Sequence, residues 1–309
     1  MSVTDYISSI NIPPSVVTIG TFDGVHIGHQ KIISRLVKTG KDNDLKSIVL
    51  TFFPHPRMVL QTNPNIALLN TIAERETILM SLGLDQMVLQ PFTEAFSNLS
   101  AKEFVSSILV EKLNAKHIII GHDHRFGKNR SANVDDLRYF GKIFGFAVEE
   151  ISAQEIEDVS VSSTKIRNAL NRGDIATANA YLGYNYFLSG KVVRGKGLGK
   201  TIGYPTANVE VEDAYKLIPF DGVYVVKATV DHKELFGMMN IGTNPTVSGT
   251  DRTIEVHLFD FDRTIYGSQI KIEFLERLRD EQDLGSITRL KAQLQLDMDN
   301  AKSFLKNHG

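Results

Sequence analysis

A cluster of glycines and histidines at Gly20–His29 is the first part of the sequence whose residue types could do chemistry. The cluster follows the apolar run Val16–Gly20, which predicts a strand, and it leads into Gly28–Thr39, where apolar residues recur at helical spacing. In a parallel sheet ligands bind where strands end, and the free amides of a helix N-terminus favour phosphate. Because His26 and His29 stand three residues apart, both imidazoles are predicted to point at the same phosphate oxygens.

Direct, in-line nucleotidyl transfer is the chemistry that this turn predicts. No nucleophilic side chain with a neighbouring base is evident in it. The turn would instead hold ATP in line with an acceptor and stabilise charge on the α-phosphate and the leaving pyrophosphate, with Mg²⁺. The alternative is a glycine-rich turn that carries two surface histidines. The predicted phosphate-binding residues are Gly20, Phe22, Gly24 and Gly28, with His26 and His29 as catalytic residues.

Three further segments are predicted to converge on the same edge of the sheet. Gly121–Gly127 follows the apolar run Lys116–Ile120 and supplies an acid and two histidines. Ser162–Arg167 offers hydroxyls and an arginine to phosphate, although its serines could instead be helix caps. Thr51–Pro56 ends the second strand, where the prolines could simply terminate it. The phosphate-binding residues predicted from Ser162–Arg167 are Ser162, Ser163, Thr164 and Arg167, and Asp123 of the first segment is predicted to lie in the ATP site.

A second dense motif, Gly190–Asn208, joins a glycine-rich loop to two oxygen-bearing side chains. The loop has few side chains, so its backbone N–H groups could wrap phosphates. It is not a Walker A loop, because GxxxxGK[ST] followed by a helix is absent. Thr206 and Asn208 are two apart, hence on one face of an extended segment, and they form a hard-oxygen pair suited to Mg²⁺. The predicted phosphate-binding glycines are Gly195, Gly197 and Gly199.

An acidic residue, Glu255, stands in the alternating run Thr253–Leu258, on the opposite face from the apolar residues. A carboxylate presented to a pocket there could accept the proton of an attacking hydroxyl in phosphoryl transfer. The alternative is a solvated acid on the polar face of a strand. The segment Phe274–Glu281 could likewise be an ordinary charged surface turn or helix.

The order of the predicted elements divides the 309 residues into two domains. Apolar strands alternate with helices in the first half, which indicates an α/β, Rossmann-like parallel sheet. From Tyr186 onward short alternating strands indicate an antiparallel sheet or β-barrel, and the amphipathic helix Ser286–Leu305 closes the sequence. We predict one domain over residues 1–184 and another over 185–309. The strands predicted for the first domain are Val16–Gly20, Ser47–Phe53, Gln86–Leu89, Lys116–Gly121 and Ala147–Ile151.

Composition excludes several classes of function. Lys and Arg number 34 against 36 Asp and Glu, a balance that argues against a nucleic-acid-binding role. The absence of cysteine excludes disulfides, thiolate zinc sites and a cysteine nucleophile. No secretory leader and no apolar run of membrane-spanning length is found, so the expected location is the cytoplasm, with no membrane partner. Self-association is left open.

The N-terminal motifs carry a family resemblance. TFDGVHIGH, GHDHRFG and SSTKIR, in this order, resemble the adenylyltransferase half of bacterial bifunctional riboflavin kinase/FAD synthetases. The resemblance implies that His26 and His29 contact the ATP phosphates and that Asp123 lies on the nucleotide side. It also implies that Pro54, His55 and Pro56 lie toward the flavin. His124 departs from the family pattern, in which an aromatic Phe or Trp is more usual.

The C-terminal motifs resemble the riboflavin kinase domain of the same family, with GYPTAN as the specific marker. DGVYVV, NIGTNPTV, EVHLFDFD and FLERLRDE follow it, so the two resemblances together cover nearly the whole chain. The resemblance implies that Thr206 and Asn208 bind Mg²⁺ and ATP phosphates and that Glu255 is the catalytic base for the riboflavin 5′-hydroxyl. It places Arg277 beside the flavin.

The resulting hypothesis is an enzyme that converts riboflavin to FMN in its C-terminal domain and FMN to FAD in its N-terminal domain, with ATP and Mg²⁺ in both steps. One rival is an HxGH transferase for another phosphorylated acceptor, with an accessory C-terminal domain. A second rival is a flavin- or nucleotide-sensing protein that has lost turnover.

Overall fold

The computed structural model describes residues 12–61, 66–122, 124–152, 161–195, 197–246 and 249–308. The chain forms two compact units, Met1–Ser163 and Thr164–Gly309. The predicted fold class is confirmed in both units. The boundary between residues 184 and 185 stays a prediction.

The first unit is built on a parallel five-stranded sheet in the order β3-β2-β1-β4-β5. All five strands predicted from the apolar runs are present. Central strand β1 is buried at every position, as expected for a strand with helices on both faces. The strands are β1 Ser15–Ile19, β2 Lys46–Phe53, β3 Gln86–Pro91, β4 Ala115–Gly121 and β5 Ala147–Ile151.

Helices connect these strands, and several begin at a side-chain cap. Thr71, Ser100 and Asn133 each form a capping box with an acidic residue three positions on, which satisfies backbone donors at the helix start. The sequence predicts the box at Ser100, since Glu103 stands three residues on, and the structure confirms it. The helices are α1 Ile27–Asn43, α2 Pro56–Leu60, α3 Ile72–Ser81, α4 Glu94–Ser97, α5 Ala101–Glu103, which continues as a π-helix over Phe104–Lys112, and α6 Val134–Phe144.

The apolar core of this unit lies on both faces of the sheet. Along β1, Val17 packs in one cluster and Val16 in the other, because successive side chains of a strand point to opposite faces. The strand order reverses at β1, which has β2 on one side and β4 on the other. In open parallel sheets the crevice for a ligand forms at the carboxyl ends of the strands beside such a reversal.

The second unit contains a closed antiparallel barrel in the order β10-β7-β6-β11-β8-β9. Its short strand β7 comes from the GYPTAN region and was not predicted. The interpretation of Phe274–Glu281 as a surface turn or helix is wrong, since β11 continues through this segment to Arg279. The strands are β6 Phe187–Val193, β7 Ala207–Glu210, β8 Gly222–Val230, β9 Lys233–Thr246, β10 Gly249–Leu258 and β11 Gln269–Arg279.

Helices flank the barrel on two sides. α7 and α8 precede it, and Asn179 of α8 both donates to the carbonyl of Phe274 and accepts from the amide of Tyr186. The last helix, α10, packs on the barrel around Ala301, and Asp297 of this helix pairs in bidentate fashion with Arg279. The helices are α7 Ser163–Leu170, α8 Ile175–Leu182, α9 Leu198–Thr201 and α10 Ile287–His308.

Among the described residues, none of the helices is both long enough and apolar enough to span a bilayer.

Candidate active sites

The first site is the turn between β1 and α1. Three of its residues have left-handed backbone angles: φ is 47° at Phe22, 87° at Gly24 and 35° at Val25. A positive φ is costly for a β-branched residue such as Val25, and such strained backbone clusters at functional sites. A Cβ at Gly20 would lie 3.0 Å from the Phe22 ring, so a side chain here would require that ring to shift.

The two histidines of the turn are in direct contact. His26 is the N-cap of α1, where its Nδ1 accepts a hydrogen bond from the His29 amide at 3.4 Å. The two imidazole rings stack with their centroids 3.7 Å apart. In the described part of the chain, His29 Nδ1 is buried and has no hydrogen-bond partner, although the ring as a whole is partly exposed.

Burial keeps both imidazoles neutral near pH 7. It lowers the pKa of His26 to about 4, with the nearby Asp23 carboxylate acting in the opposite direction. Burial likewise holds the pKa of His29 well below its usual range, and the neighbouring His26 and the Arg75 charge add to that effect. Because His26 Nδ1 accepts a hydrogen bond, the proton of its neutral ring resides on Nε2.

The ends of three strands meet the turn at one edge of the sheet. The Gly20 amide, directly after β1, donates to the carbonyl of Leu50 in β2 at 3.1 Å. Just beyond β2, between Pro54 and Pro56, His55 caps α2 and accepts a hydrogen bond from the Arg57 amide at 3.1 Å. The third strand, β4, ends beside β1 at Gly121.

The remaining N-terminal site residues are placed to different extents. The Ser163 hydroxyl donates to the Asp23 carbonyl at 2.8 Å, so this predicted phosphate ligand reaches the turn itself. Ser162 directly precedes α7, and Thr164 and Arg167 lie on that helix. Asp123 lies outside the described residues. His124 stacks on Phe126 with the ring centroids 6.2 Å apart, as an aromatic residue at this position would.

A buried polar group beneath the turn was missed from the sequence. The Asp23 carboxylate accepts hydrogen bonds from the backbone amides of Leu69 and Asn70 and pairs with the Arg75 guanidinium at 3.4 Å, both side chains being 1% exposed. Arg75 lies on α3, and an arginine on a helix is ordinarily solvated. The sequence pattern therefore carried no signal for its burial.

The second site centres on Glu255 of β10. The register places Glu255 opposite Asn208 of β7 and opposite Asn240 of β9. Directly opposed residues share one face of an antiparallel sheet. The Thr206 hydroxyl donates to Glu255 Oε2 at 3.1 Å. The structure thus brings together the three predicted residues Thr206, Asn208 and Glu255.

The glycine loop of this site lies against those side chains. A Cβ at Gly195 would overlap the side-chain amide of Asn208. A Cβ at Gly199 would overlap the Tyr204 carbonyl and approach Thr206 Oγ1 to 3.3 Å. Gly197 has open space around it and a φ of 72°, and it precedes α9. The loop therefore needs glycine at two positions because of close approach, and at a third because of its backbone angle.

Arg277 is held by the barrel itself. Its guanidinium lies over the Phe220 ring at 5.2 Å and donates to the Asp221 carbonyl and the Asp280 carboxylate. A side chain at Gly173 would collide with it. These contacts fix the position of the Arg277 guanidinium. Its contact with flavin stays a prediction.

Two residues at the second site were missed. Asn240 sits beside Glu255, but nothing in the sequence indicated which residue of β9 would face it, because that depends on strand register. Gln295 of α10 accepts a hydrogen bond from the Tyr204 hydroxyl at 2.9 Å, which ties the last helix to the segment before Thr206.

Comparisons with known proteins agree with this division of sites. Residues 9–165 match the FAD synthetase family model and residues 182–305 match the riboflavin kinase model. The fold and the two sites therefore define a transferase with one nucleotidyltransferase domain and one kinase domain.

Curated relatives match over both domains. The chain is 38% identical to the bifunctional riboflavin kinase/FMN adenylyltransferase of Buchnera aphidicola from Schizaphis graminum, covering 94% of each chain. It is 37% identical to the enzymes of the same name from Escherichia coli K12 and Bacillus subtilis 168, covering 94% and 95% of this chain and 92% and 93% of theirs. The chain belongs to the bifunctional riboflavin kinase/FMN adenylyltransferase family and is an enzyme with both of its domains.

A solved structure shares the fold of the whole chain. It is described as a macrolide-efflux protein from Streptococcus pneumoniae and is 33% identical, with a TM-score of 0.87 over 96% of this chain and 97% of that one. That description is the name of the other protein. The family assignment here rests on the two domain models and the curated relatives.

Proposed function

We propose that the barrel unit phosphorylates riboflavin with ATP to give FMN, and that the parallel-sheet unit transfers the adenylyl group of a second ATP to FMN, which yields FAD and pyrophosphate. The observation that carries the proposal is the pairing of Glu255 with Thr206 and Asn208 at the junction of β10 and β7. Family membership supplies the identity of the substrates, which the geometry alone does not define.

In the kinase step, Glu255 accepts the proton of the riboflavin 5′-hydroxyl as its oxygen attacks the γ-phosphorus of ATP. A new phosphorus–oxygen bond forms, the bond to the β-phosphate oxygen breaks, and ADP leaves. The backbone N–H groups of Gly195, Gly197 and Gly199 are suited to holding the phosphates. A hydroxyl, an amide oxygen and a carboxylate are oxygen donors of the kind that Mg²⁺ prefers. Thr206 and Asn208 would hold this ion, which supplies charge stabilisation on the transferred phosphate.

In the adenylyl transfer step, an FMN phosphate oxygen attacks the α-phosphorus of ATP and pyrophosphate leaves. The neutral His26 ring carries its proton on Nε2, so it can donate a hydrogen bond to a phosphate oxygen, and His29 lies against it. The start of α1 adds free amides and the positive end of the helix dipole. These groups stabilise charge without taking part in covalent chemistry.

The other site residues complete the proposal. Pro54, His55 and Pro56 face the FMN of the first unit, and Arg277 lies beside the riboflavin of the second. We place the enzyme in the cytoplasm, with small-molecule substrates and no nucleic-acid or membrane partner. The residues proposed to bind ATP for adenylyl transfer, with Asp123 on the nucleotide side, are Gly20, Phe22, Gly24, Gly28, Asp123, Ser162, Ser163, Thr164 and Arg167.

Chromatography of the products formed from riboflavin, ATP and Mg²⁺ tests the proposal. Wild-type protein is expected to give FMN first and then FAD. The His29→Ala variant should accumulate FMN, with FAD formation reduced at least ~100-fold. The Glu255→Ala variant should form no FMN from riboflavin, yet make FAD at the wild-type rate when FMN is supplied.

The same product assay distinguishes this proposal from the two rival hypotheses, a transferase for another acceptor and a sensing protein. A transferase for another acceptor would leave both riboflavin and FMN unchanged in the wild-type reaction. A sensing protein would bind flavin tightly and form neither product. A single variant that abolishes both activities would refute the assignment of the two reactions to separate sites.

A further inference from the structure

A network of buried hydrogen bonds centred on Arg75 lies beneath the β1–α1 turn. The Arg75 guanidinium donates in two directions, to Asp23 Oδ1 at 3.4 Å through one terminal nitrogen and to Thr51 Oγ1 at 3.3 Å through the other. The Thr51 hydroxyl in turn donates to the Thr21 carbonyl at 3.2 Å. Arg75 is therefore connected to the turn on both sides of Phe22, directly at Asp23 and through Thr51 at Thr21. Phe22 itself has a left-handed backbone.

Asp23 extends this network to other segments of the first unit. Its carboxylate accepts hydrogen bonds from the Leu69 amide at 2.9 Å and the Asn70 amide at 3.3 Å. Its backbone carbonyl accepts the Ser163 hydroxyl. The turn is thus held by the amides of the segment before α3 and by the hydroxyl of Ser163, the first residue of α7.

The location of Arg75 separates it from the groups that meet substrate. Its side chain is 1% exposed, so it does not reach the solvent-facing part of the turn. A buried cation needs partners, and partners that fix the guanidinium also fix whatever they belong to. Here Asp23 belongs to the turn that leads to His26 and His29, and Thr51 of β2 is bonded to the Thr21 carbonyl of the same turn.

We propose that Arg75 is a positioning residue for adenylyl transfer, which holds the Thr21–Val25 turn in the form that places the two histidines and the start of α1 against the ATP phosphates. This inference rests on the proposed function of the first unit. Arg75 itself touches neither substrate. Misplacement of catalytic groups by about 1 Å can cost ~100-fold in rate, so the effect of Arg75 should appear in turnover.

Steady-state kinetics of FAD formation from FMN and ATP, per mole of folded protein, tests this role. Arg75→Met is expected to lower kcat at least ~30-fold with a smaller change in the KM for ATP, since misplaced histidines stabilise the transition state less. Arg75→Lys should recover part of the loss, because a single ammonium cannot bond in both directions of the planar guanidinium.

Thr51→Val keeps the test decisive if Arg75→Met does not fold. This change leaves the Asp23–Arg75 pair in place and removes the Thr51 hydroxyl, with its hydrogen bonds to Arg75 and to the Thr21 carbonyl. We therefore expect kcat to fall ~3- to 10-fold in a folded protein. Arg35→Met is the matched control, since Arg35 lies on α1 but is exposed and pairs with Glu149. Its FAD formation should equal that of wild type.

Riboflavin kinase activity of the same samples separates the two hypotheses. Wild-type protein that makes no FAD would refute the proposed function. Wild-type protein that makes FAD, with folded Arg75→Met and Thr51→Val variants within twofold of its kcat and KM, would overturn the positioning role. A parallel loss of kinase activity would overturn it as well, since it would show a general defect rather than a misplaced turn.

Discussion

At the scale of single residues, the environment of His26 combines a structural and a chemical role. Because Nδ1 caps α1 as an acceptor, the proton of the neutral ring is carried by Nε2. A cap residue such as serine would stabilise the helix equally well, but it would bring no ring to stack on His29. The proposed contact with phosphate, rather than helix stability, therefore accounts for a histidine at this cap.

The low pKa of His26 predicts a loss of stability in acid. An unfolded chain protonates this histidine below about pH 6.5, whereas the folded chain resists protonation until about pH 4. The unfolded state thus binds more protons in this window, and the free energy of unfolding falls as the pH is lowered through it. Between pH 7 and pH 5 this one group should cost about 2 kcal/mol.

Denaturant unfolding of wild type and His26→Asn at the two pH values measures this cost. Asparagine is a good N-cap and does not titrate, so the variant should lose about 2 kcal/mol less than wild type between pH 7 and pH 5. An identical pH dependence in the two proteins would show that His26 is protonated as readily when folded as when unfolded.

Residue-scale prediction from sequence succeeded where a local pattern determines the outcome. The alternation in Thr253–Leu258 placed Glu255 opposite to its buried neighbours, and Ile254, Val256 and Leu258 are indeed buried. It failed where the partner is distant in sequence. Arg75 meets Thr51 and Asp23 only in the folded chain, 24 and 52 residues away, and no spacing within the sequence encodes that contact.

At the scale of elements, the glycine loop before α9 is determined by what it packs against. Gly195 is required because Asn208 lies directly beneath it, not because the loop needs freedom. The two residues are thirteen positions apart, and β6 and β7 pair Val193 with Asn208. The loop therefore connects the paired strands β6 and β7, and it packs on the Asn208 side chain of β7.

Gly195→Ala should lower riboflavin kinase activity at least ~10-fold while FAD formation from supplied FMN is unchanged. The added methyl group would displace either the loop or the Asn208 amide, and both are proposed to meet ATP and its metal. Gly267→Ala is the control: its Cβ would meet no atom within 4 Å, and it tests only the cost of a side chain at φ 84°. Equal kinase activity in the two variants would contradict the packing argument.

Element prediction was accurate for long apolar segments and poor for short polar ones. The central strands β1, β2 and β4 of the parallel sheet follow from apolar runs, whereas edge strand β5 contains two glutamates. Strand β7 has four residues, of which only Val209 is buried, and its motif resembled a binding loop. The second half of strand β11, Phe274–Arg279, is charged and could therefore be taken for a surface turn or helix. Arg279 is nevertheless satisfied there by Asp297 of α10, a partner that only the tertiary structure supplies.

At the scale of the whole molecule, the two units carry separate sites, and the boundary predicted between residues 184 and 185 is open to test. α7 and α8 have apolar residues buried in the second unit, among them Leu170 and Leu182. The Leu170 carbonyl accepts the amide of Phe220 at 2.9 Å. A barrel that begins at residue 185 lacks these contacts.

Fragments of residues 185–309 and 164–309 should both convert riboflavin to FMN, because Glu255, Thr206 and Asn208 lie on the barrel in each. The shorter fragment should melt at least about 5 °C lower, since it loses the apolar packing of two helices. Thermal unfolding followed by circular dichroism measures the difference. Equal melting temperatures would mean that α7 and α8 contribute nothing to the barrel.

The closure of the barrel has a consequence for its response to substrate. Strands β7 and β10 are joined by two residue pairs, Glu255 with Asn208 and Val256 with Ala207. A ligand that binds the side chains of Thr206, Asn208 and Glu255 would connect the same two strands in addition to their backbone hydrogen bonds. Bound nucleotide would then stabilise the barrel where its described strands share the fewest residue pairs. Nucleotide should therefore protect this part of the barrel from proteolysis through the same side chains that are proposed to act in catalysis.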